Sequence, residues 1–248
     1  MSLSTKINRQ LILMQIKQRM QKPTEELVTL GSEYGANTVP KSALKPGAVA
    51  ICAGAGEDVT FDVELNNQGL IVYCLDPTPR AVEHVDEVLA AAKEGRELRS
   101  GSGSREPYSF KGFDPSRFIF QPRGIWSKDE TLRFYAPKSK ESVSCSVKNL
   151  EETGEHFDAE CVTLETMEKE IGKPIDILKL DIMGAEYDVI RYLVSSSCKV
   201  PVLCVELDEC QYPNRPGAKK RLFEILDWLG SAGYKFVHLR ESNATFVR

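Results

Sequence analysis

Short, mostly apolar runs alternate along the chain with segments of helical periodicity, and this alternation limits the fold more than any other feature. The runs are AVAIC (48–52), GLIVYCLD (69–76), IDILKLD (175–181) and VPVLCVEL (200–207). Their length suits strands rather than helices, and their apolar character suits strands that are covered on both faces. The alternation therefore predicts an α/β domain with a mostly parallel central sheet and helices on both sides.

The segments between these runs are mostly helical in pattern. Residues 77–95 place Val85 and Leu89 on one face, and Gly95 is typical of a helix C-terminus. Residues 57–65 (EDVTFDVEL) are ambiguous, because apolar side chains at every second position also fit a strand. We interpret them as a helix, since two neighbouring parallel strands need a crossover connection. The last two apolar runs, YKFVHL and ATFVR, predict a pair of antiparallel strands.

The middle of the chain departs from this alternation. Residues 117–126 (RFIFQPRGIW) have the pattern of one strand. Residues 131–137 and 142–147 alternate like the two arms of a β-hairpin. Residues 95–116 are rich in glycine, serine and charge, and they predict a flexible insertion loop.

The chain is expected to divide into two parts of unequal size. Apolar side chains at helical spacing predict a helix over residues 5–21, which Pro23 would stop. Residues 1–45 should therefore form an N-terminal helical extension that packs on the core. Residues 46–248 should form a single ligand-binding domain, a size that is common for α/β folds.

Charge and cysteine content argue against several classes of function. The 248 residues carry a net charge of −4, which does not favour nucleic acid as a partner. Seven cysteines are scattered without a CxxC spacing, which favours a reduced environment over disulfides or a zinc site. No apolar run approaches the roughly 18 residues of a membrane span, and no signal peptide is recognisable. We therefore expect a cytoplasmic protein without a membrane or nucleic-acid partner, and its oligomeric state stays open.

Acidic and glycine residues follow the predicted strands. In an open α/β sheet, ligands bind outside the carboxyl ends of the strands, near the point where the strand order reverses. The residues at these ends are Gly54-Ala55-Gly56-Glu57, then Asp76, then Asp181, and finally Glu206 with Asp208. We expect them to converge on one ligand site.

The spacing of these residues indicates a nucleoside. Two glycines let the backbone approach a ligand closely, and Asp76, 20 residues after Gly56, is placed to accept hydrogen bonds from ribose hydroxyls. A nicotinamide dinucleotide is a weaker alternative, because Val59 stands where a third glycine is usual and Glu57 would repel a pyrophosphate. The sulfonium and ammonium of S-adenosylmethionine are cations that acids would stabilise, so the pattern favours a methyl donor as cofactor.

Several stretches together resemble the FkbM-type family of S-adenosylmethionine-dependent class I methyltransferases. They include AGAGEDVTFDVEL, VYCLDPTPRAVEHV, IDILKLDIMGAEYDVI and CVELDE, and they follow the family order over about residues 30–248. The resemblance implies a Rossmann-like methyltransferase domain. It also implies O-methylation of a hydroxyl on a small acceptor, a glycan or another natural product such as a secondary metabolite.

The resemblance also implies roles for particular residues. The donor loop would be Gly54, Ala55, Gly56 and Glu57, with Asp76 holding the ribose and Gly124, Ile125 and Trp126 lying near the adenine. Asp181 would face the methionine end of the donor, and Glu186 would line the pocket from the next helix. Asp181 and Glu206 are the candidate catalytic bases, while the three histidines, His84, His156 and His238, fit structural or surface positions better.

The chain departs from the family pattern at two positions. Met183 stands where the family usually has a glutamate, and Cys145 stands where it often has a histidine. A catalytically inactive protein that binds the donor is therefore an alternative to an active enzyme. A divalent cation such as Mg²⁺ on Asp181, Glu206 and Asp208 is a further alternative that we do not expect, because acids at strand ends are explained without a metal.

Overall fold

The computed structural model describes residues 3–100, 106–139, 144–149 and 152–248. These residues form six α-helices, which are α1 (Leu3–Lys17), α2 (Thr60–Asn67), α3 (Pro79–Glu94), α4 (Leu164–Ile171), α5 (Glu186–Ser195) and α6 (Ala218–Ser231). They also form twelve β-strands, which are β1 (Leu27–Leu30), β2 (Asn37–Pro40), β3 (Val49–Ala53), β4 (Ile71–Leu75), β5 (Phe118–Gln121), β6 (Gly124–Ile125), β7 (Glu130–Tyr135), β8 (His156–Val162), β9 (Ile177–Leu180), β10 (Val202–Glu206), β11 (Lys235–Arg240) and β12 (Asn243–Val247).

Seven strands form the central sheet, in the order β11-β12-β10-β9-β3-β4-β5. The pairs from β10 to β5 are parallel, whereas β12 runs antiparallel to both of its neighbours. The predicted α/β class and the antiparallel C-terminal strand are therefore confirmed. The chain order reverses between β3 and β9, which creates a crevice at the carboxyl ends of these strands.

Local sequence signals agree with the positions of helices α2, α3 and α4. Residues 60–67 of the ambiguous segment form α2, so the argument from the crossover connection was correct. Gly95 and Gly172 end α3 and α4 in the left-handed conformation, which glycine adopts at little cost. At the start of α4, the hydroxyl of Thr163 accepts a hydrogen bond from the backbone N–H of Thr166.

The predicted strand over residues 117–126 is divided into two. Residues 118–121 form β5 at the edge of the central sheet, while Gly124–Ile125 form β6 and pair with β8 in a separate three-stranded sheet. Pro122 lies between them, and a proline cannot donate to a ladder of hydrogen bonds.

The predicted hairpin between residues 131–137 and 142–147 is present in the described residues as one antiparallel bridge, and the main partner of β7 is β8 rather than the predicted second arm. Strand β7 pairs along its whole length with β8, and Phe134 stacks on Phe157 with 5.4 Å between ring centroids. Of the expected hairpin, the Tyr135–Ser146 bridge is present, and residues 140–143 lie outside the described residues.

The N-terminal part contains strands as well as the predicted helix. Helix α1 ends at Lys17, earlier than the predicted end at residue 21, and β1 and β2 then form a hairpin that the sequence analysis missed. The hairpin packs on the central sheet, where the hydroxyl of Thr245 donates to the carbonyl oxygen of Thr38 over 2.6 Å. Its loop, residues 31–36, reaches the carboxyl ends of the central strands.

Three further sequence predictions concern the cysteines, membrane segments and the loop over residues 95–116. All seven cysteines are unpaired thiols, and six of them are buried. Among the helices of the described residues, none has the length and apolar character needed to cross a membrane. Within the loop predicted over residues 95–116, residues 101–105 lie outside the described part.

Candidate functional site

A cavity of about 950 Å³ opens at the carboxyl ends of β3, β4, β9 and β10. The strand ends that the sequence analysis expected to converge do meet there. The predicted site residues in its lining are Gly54, Ala55, Gly56, Glu57, Asp76, Gly124, Ile125, Asp181 and Glu206. Trp126 and Glu186 are the two predicted site residues that do not line it.

The glycine-rich turn after β3 is fixed by a close approach to β9. Gly54 has a φ of +90°, and a Cβ atom built on it would lie 1.8 Å from the backbone oxygen of Asp181. No other residue fits there without moving the backbone. Gly54 therefore lets the ends of two neighbouring strands come together beneath the cavity.

Asp76 shapes the same turn from the end of β4. Its Oδ2 accepts hydrogen bonds from the backbone N–H groups of Ala55 at 2.9 Å and Gly56 at 3.0 Å, and its Oδ1 accepts from Thr78 at 2.8 Å. Asp76 is buried, and Oδ1 keeps a lone pair that these bonds do not use. The side chain thus holds the turn and retains one acceptor position.

Glu57 is paired with a cation. Both Nε and Nη2 of Arg80 donate to Oε1 of Glu57, the former over 2.9 Å. Arg80 therefore offsets part of the repulsion that the charge of Glu57 alone would exert on a pyrophosphate.

Asp181 and Glu206 form a carboxyl pair inside the cavity. The charge of Asp181, burial and a side-chain hydrogen bond from Glu206 to Asp181 raise the pKa of Glu206 to about 10. The other side of Glu206 is held by Gln211 and Ser242, whose side chains donate to Oε1 over 2.6 and 3.0 Å. At neutral pH, Glu206 accordingly keeps a proton next to Asp181.

Two more acids lie beside this pair with unsatisfied oxygens. Burial and the charge of Asp181 raise the pKa of Asp208 to about 7, against the opposing effect of Arg215. Burial and the charge of Asp208 raise the pKa of Glu186 well above its usual value. Oδ2 of Asp208 and Oε2 of Glu186 are buried and have no hydrogen-bond partner among the described residues. The strand ends therefore carry more acceptor oxygens than the protein's own donors satisfy.

Glu186 lies behind the cavity wall rather than in it. Its Oε1 accepts a hydrogen bond from the backbone N–H of Ile182 over 2.8 Å, across the turn before α5. The side chain is 1% exposed, so the predicted position of Glu186 in the pocket lining is not what the structure has. Its neighbour Ala185 lines the cavity instead.

Trp126 and the histidines also lie away from the cavity lining. The backbone N–H of Trp126 donates to the carbonyl oxygen of Val162, and its side chain packs against the hydrophobic core. His84 bonds to the hydroxyl of Tyr108 at 2.7 Å, and burial lowers the pKa of its imidazole. His156 and His238 lie on β8 and β11.

Lys179 is a functional candidate that the sequence analysis did not select. Its ammonium donates to the carbonyl oxygen of Gly54 over 2.5 Å and lies 3.7 Å from Oδ2 of Asp181. Burial disfavours its charge, but Asp181 and Asp62 outweigh burial and raise the pKa of Lys179. The signal was a lysine in the middle of the buried run Ile177–Leu180.

Other missed residues reach the cavity from distant loops. The loop of the β1–β2 hairpin contributes Tyr34 and Gly35, and the segment after β10 contributes Tyr212. Met183, in the turn after β9, has a φ of +48°, which is rare for a residue with a side chain. No local pattern announces these contacts, because they depend on how the loops pack.

The acids do not form a recognisable metal site. The part of the chain that the structure describes contains no group of three or more His, Cys, Asp or Glu side chains placed to hold a metal ion. This includes the set Asp181, Glu206 and Asp208 that the sequence analysis considered for Mg²⁺.

A mostly parallel seven-stranded sheet with one antiparallel strand, and a cavity at its carboxyl edge, defines the class I S-adenosylmethionine-dependent methyltransferases. The model of the Methyltransferase FkbM domain family matches residues 36–236. The chain therefore belongs to the FkbM methyltransferase family, and it is an S-adenosylmethionine-dependent methyltransferase by this membership.

Solved structures with similar folds are distant. The fibrillarin pre-rRNA processing protein of Methanococcus jannaschii has 12% identity and a TM-score of 0.41, over 83% of this chain and 67% of that one. The precorrin-6y C5,15-methyltransferase of Geobacter metallireducens GS-15 has 12% identity and a TM-score of 0.38, over 84% and 85%. The magnesium protoporphyrin IX methyltransferase of Synechocystis PCC 6803, with bound SAH, has 11% identity and a TM-score of 0.36, over 99% and 83%. No curated protein matches the chain significantly.

Proposed function

We propose that this protein transfers the methyl group of S-adenosylmethionine to a hydroxyl oxygen of a small acceptor, a sugar or another hydroxylated natural product. The observation that carries the proposal is the Asp181–Glu206 carboxyl pair inside the cavity of a methyltransferase of the FkbM family. A hydroxyl is a poor nucleophile until it loses its proton, and a carboxylate within reach can take that proton.

The lining of the cavity fits S-adenosylmethionine chemically. Its sulfonium and ammonium are cations, and Asp208 in the cavity lining has a buried oxygen without a hydrogen-bond partner among the described residues, which can accept from the ammonium. At Gly54 the turn after β3 has no side chain, which lets the end of β9 close against it beneath the cavity.

The proposed donor site uses residues that the structure brings together. Gly54, Ala55, Gly56 and Glu57 are proposed to form its loop, and the unused lone pair on Oδ1 of Asp76 to accept from a ribose hydroxyl. Gly124 and Ile125 are proposed to contact the adenine. Since Trp126 and Glu186 lie outside the lining, we propose that they support the wall of the site without touching the donor.

Asp181 and Glu206 are proposed to handle the proton. When bound, S-adenosylmethionine supplies a methyl group on a positively charged sulfur, already activated for transfer to oxygen. Glu206 keeps a proton at neutral pH, and the carboxyl of Asp181 beside it is proposed to accept the proton of the acceptor hydroxyl. Gln211 and Ser242 fix Glu206, which keeps the pair in place. Positioning of the two reactants in this cavity can provide much of the remaining acceleration.

The acceptor is proposed to be a small molecule rather than nucleic acid or a membrane lipid. The net charge is −4, and the cavity is lined by several acids, which would repel a polyphosphate chain. A cavity of about 950 Å³ holds a donor and a small acceptor together.

The test is calorimetric titration of S-adenosylmethionine into the wild type, Asp76→Ala and the control Asp227→Ala, whose exposed carboxylate pairs with Arg19. We expect saturable binding that Asp76→Ala loses and Asp227→Ala keeps. The same samples, given a panel of sugars and phenols, should release S-adenosylhomocysteine with at least one acceptor. Donor binding without turnover on any acceptor would favour the inactive binding protein, and absence of binding by the folded wild type would refute the donor site.

A further inference from the structure

A second, smaller cavity of about 50 Å³ adjoins the large one on its outer side. The two share Ser144, Met183 and Tyr212 in their linings, so they are adjacent, and we call the large one the inner part and the small one the outer part of the site. The outer part adds Lys148 and Arg215. The inner part is rich in acids, whereas the lining of the outer part contains no Asp or Glu among the described residues.

Arg215 is the cation of the outer cavity that lacks an ion pair. Its guanidinium lies 3.8 Å from the ring centroid of Tyr212, and among the described residues it makes neither an ion pair nor a side-chain hydrogen bond. By contrast, Lys148 is bound to Asp188 at 2.5 Å. The acid that Arg215 influences, Asp208, is not within ion-pair distance. Its five N–H donors are therefore available to a ligand.

The loop that carries Arg215 is held in place. Pro213 and Pro216 flank the arginine and restrict the backbone on both sides. The side chain of Asn214 bonds to Asn8 and Thr5 of helix α1 over 2.8 and 2.9 Å. The guanidinium is therefore presented from a fixed loop and stacked on an aromatic ring, an arrangement that loses little entropy when a ligand binds.

We propose that the methyl acceptor carries an anionic group, a carboxylate or a phosphate, which Arg215 binds in the outer cavity. The hydroxyl to be methylated then lies toward the Asp181–Glu206 pair, and Met183 contacts the apolar part between the two groups. A planar guanidinium matches the two oxygens of either anion with paired hydrogen bonds. This inference rests on the proposed function and names the acceptor class for the same site.

The test follows the backbone amide signal of Tyr212 by NMR in the full chain. Inorganic phosphate and, separately, acetate are titrated at constant ionic strength against sodium chloride. We expect a saturable shift in the wild type, weakened at least about tenfold in Arg215→Gln, because a hydrogen bond to a charged group is lost. Arg215→Lys should bind the anion more weakly than the wild type, since it keeps the positive charge but not the planar set of paired N–H donors. The control Lys219→Gln, an exposed cation on helix α6 that lines neither cavity, should match the wild type.

The outcomes distinguish a phosphorylated acceptor from a carboxylated one and test whether Arg215 binds an anion. Saturation by phosphate alone indicates a phosphorylated acceptor, and saturation by acetate indicates a carboxylate. No saturation by either anion, or equal binding by Arg215→Gln and the wild type, overturns the inference. S-adenosylhomocysteine is titrated into the same samples, and it should bind to the wild type and Arg215→Gln alike. If S-adenosylhomocysteine does not bind to the wild type, the donor site is refuted, independently of the result with phosphate or acetate.

Discussion

Replacement of Glu206 by glutamine tests whether the carboxyl pair holds a proton in the folded protein. Gln211 and Ser242 donate to Oε1 of Glu206, and the oxygen of an amide can accept both bonds. The amide nitrogen can donate to Asp181 as the protonated carboxyl does. Glu206→Gln therefore keeps the hydrogen bonds of the protonated state and removes the titration.

The size of the effect follows from the difference between the folded and unfolded pKa. An unfolded glutamate titrates near pH ~4.3, while the pKa of Glu206 in the fold is about 10. The folded state binds the extra proton between these values, so the free energy of unfolding falls as pH rises, by up to ~1.4 kcal/mol per unit. The stabilisation from this proton is fully present below the pKa of the unfolded glutamate, and it is lost as pH rises through the pKa of the folded one. From pH 6 to pH 8 this amounts to at most ~2.7 kcal/mol, since Glu206 is partly exposed. For 248 residues it corresponds to about 5 °C in Tm.

The assay is thermal unfolding of wild type, Glu206→Gln and a control, Glu224→Gln, at pH 6, 7 and 8. Glu224 lies on helix α6 and pairs with Lys220 at 3.7 Å on the surface. We expect the Tm of wild type and Glu224→Gln to fall with pH, and that of Glu206→Gln to fall about 5 °C less over this range. Equal falls in wild type and Glu206→Gln would show that Glu206 holds no proton in the fold.

Three other predictions follow from the same geometry. Gly54→Ala should lower the free energy of unfolding in urea by more than ~3 kcal/mol, because the Cβ meets backbone at 1.8 Å. Gly95→Ala, with a φ of +68° but open space around it, should cost only ~1–2 kcal/mol, and equal costs would rule out the contact as the cause. Lys179→Met should cost ~3–5 kcal/mol because it leaves Asp62 buried without a cation, and adding Asp62→Leu should recover at least half. Finally, calorimetry at pH 8 in buffers of different ionisation enthalpy should detect up to one proton released when S-adenosylmethionine binds, since its positive charge opposes the proton on Glu206. Glu206→Gln should release fewer protons than the wild type, and equal release by that variant would assign the proton to another acid, such as Glu186 or Asp208.

The fold could be predicted where local pattern and topology agreed. Residues 57–65 fitted two elements equally well, and the need to cross over between parallel strands decided correctly for helix α2. Strand pairing beyond nearest neighbours was harder. The alternation in β7 gives the face that each side chain occupies but not its partner, so the match with β8, about 20 residues later in the chain, required the tertiary structure. The β1–β2 hairpin was missed because its strands are only four residues long in a polar stretch.

The acids at the strand ends could be located from the sequence, but their different tasks could not. Asp76 directs both of its oxygens to backbone N–H groups of nearby turns, which are left free where a strand or helix begins or ends. Asp181 and Glu206 face each other across two strands, and like charges so close share a proton rather than both ionising. Spacing along the chain is similar in the two cases, since an acid follows a buried strand or opens the next helix. What separates them is the number of N–H donors within reach, because a carboxylate with donors holds a turn, while a pair without enough donors retains a proton that chemistry can use.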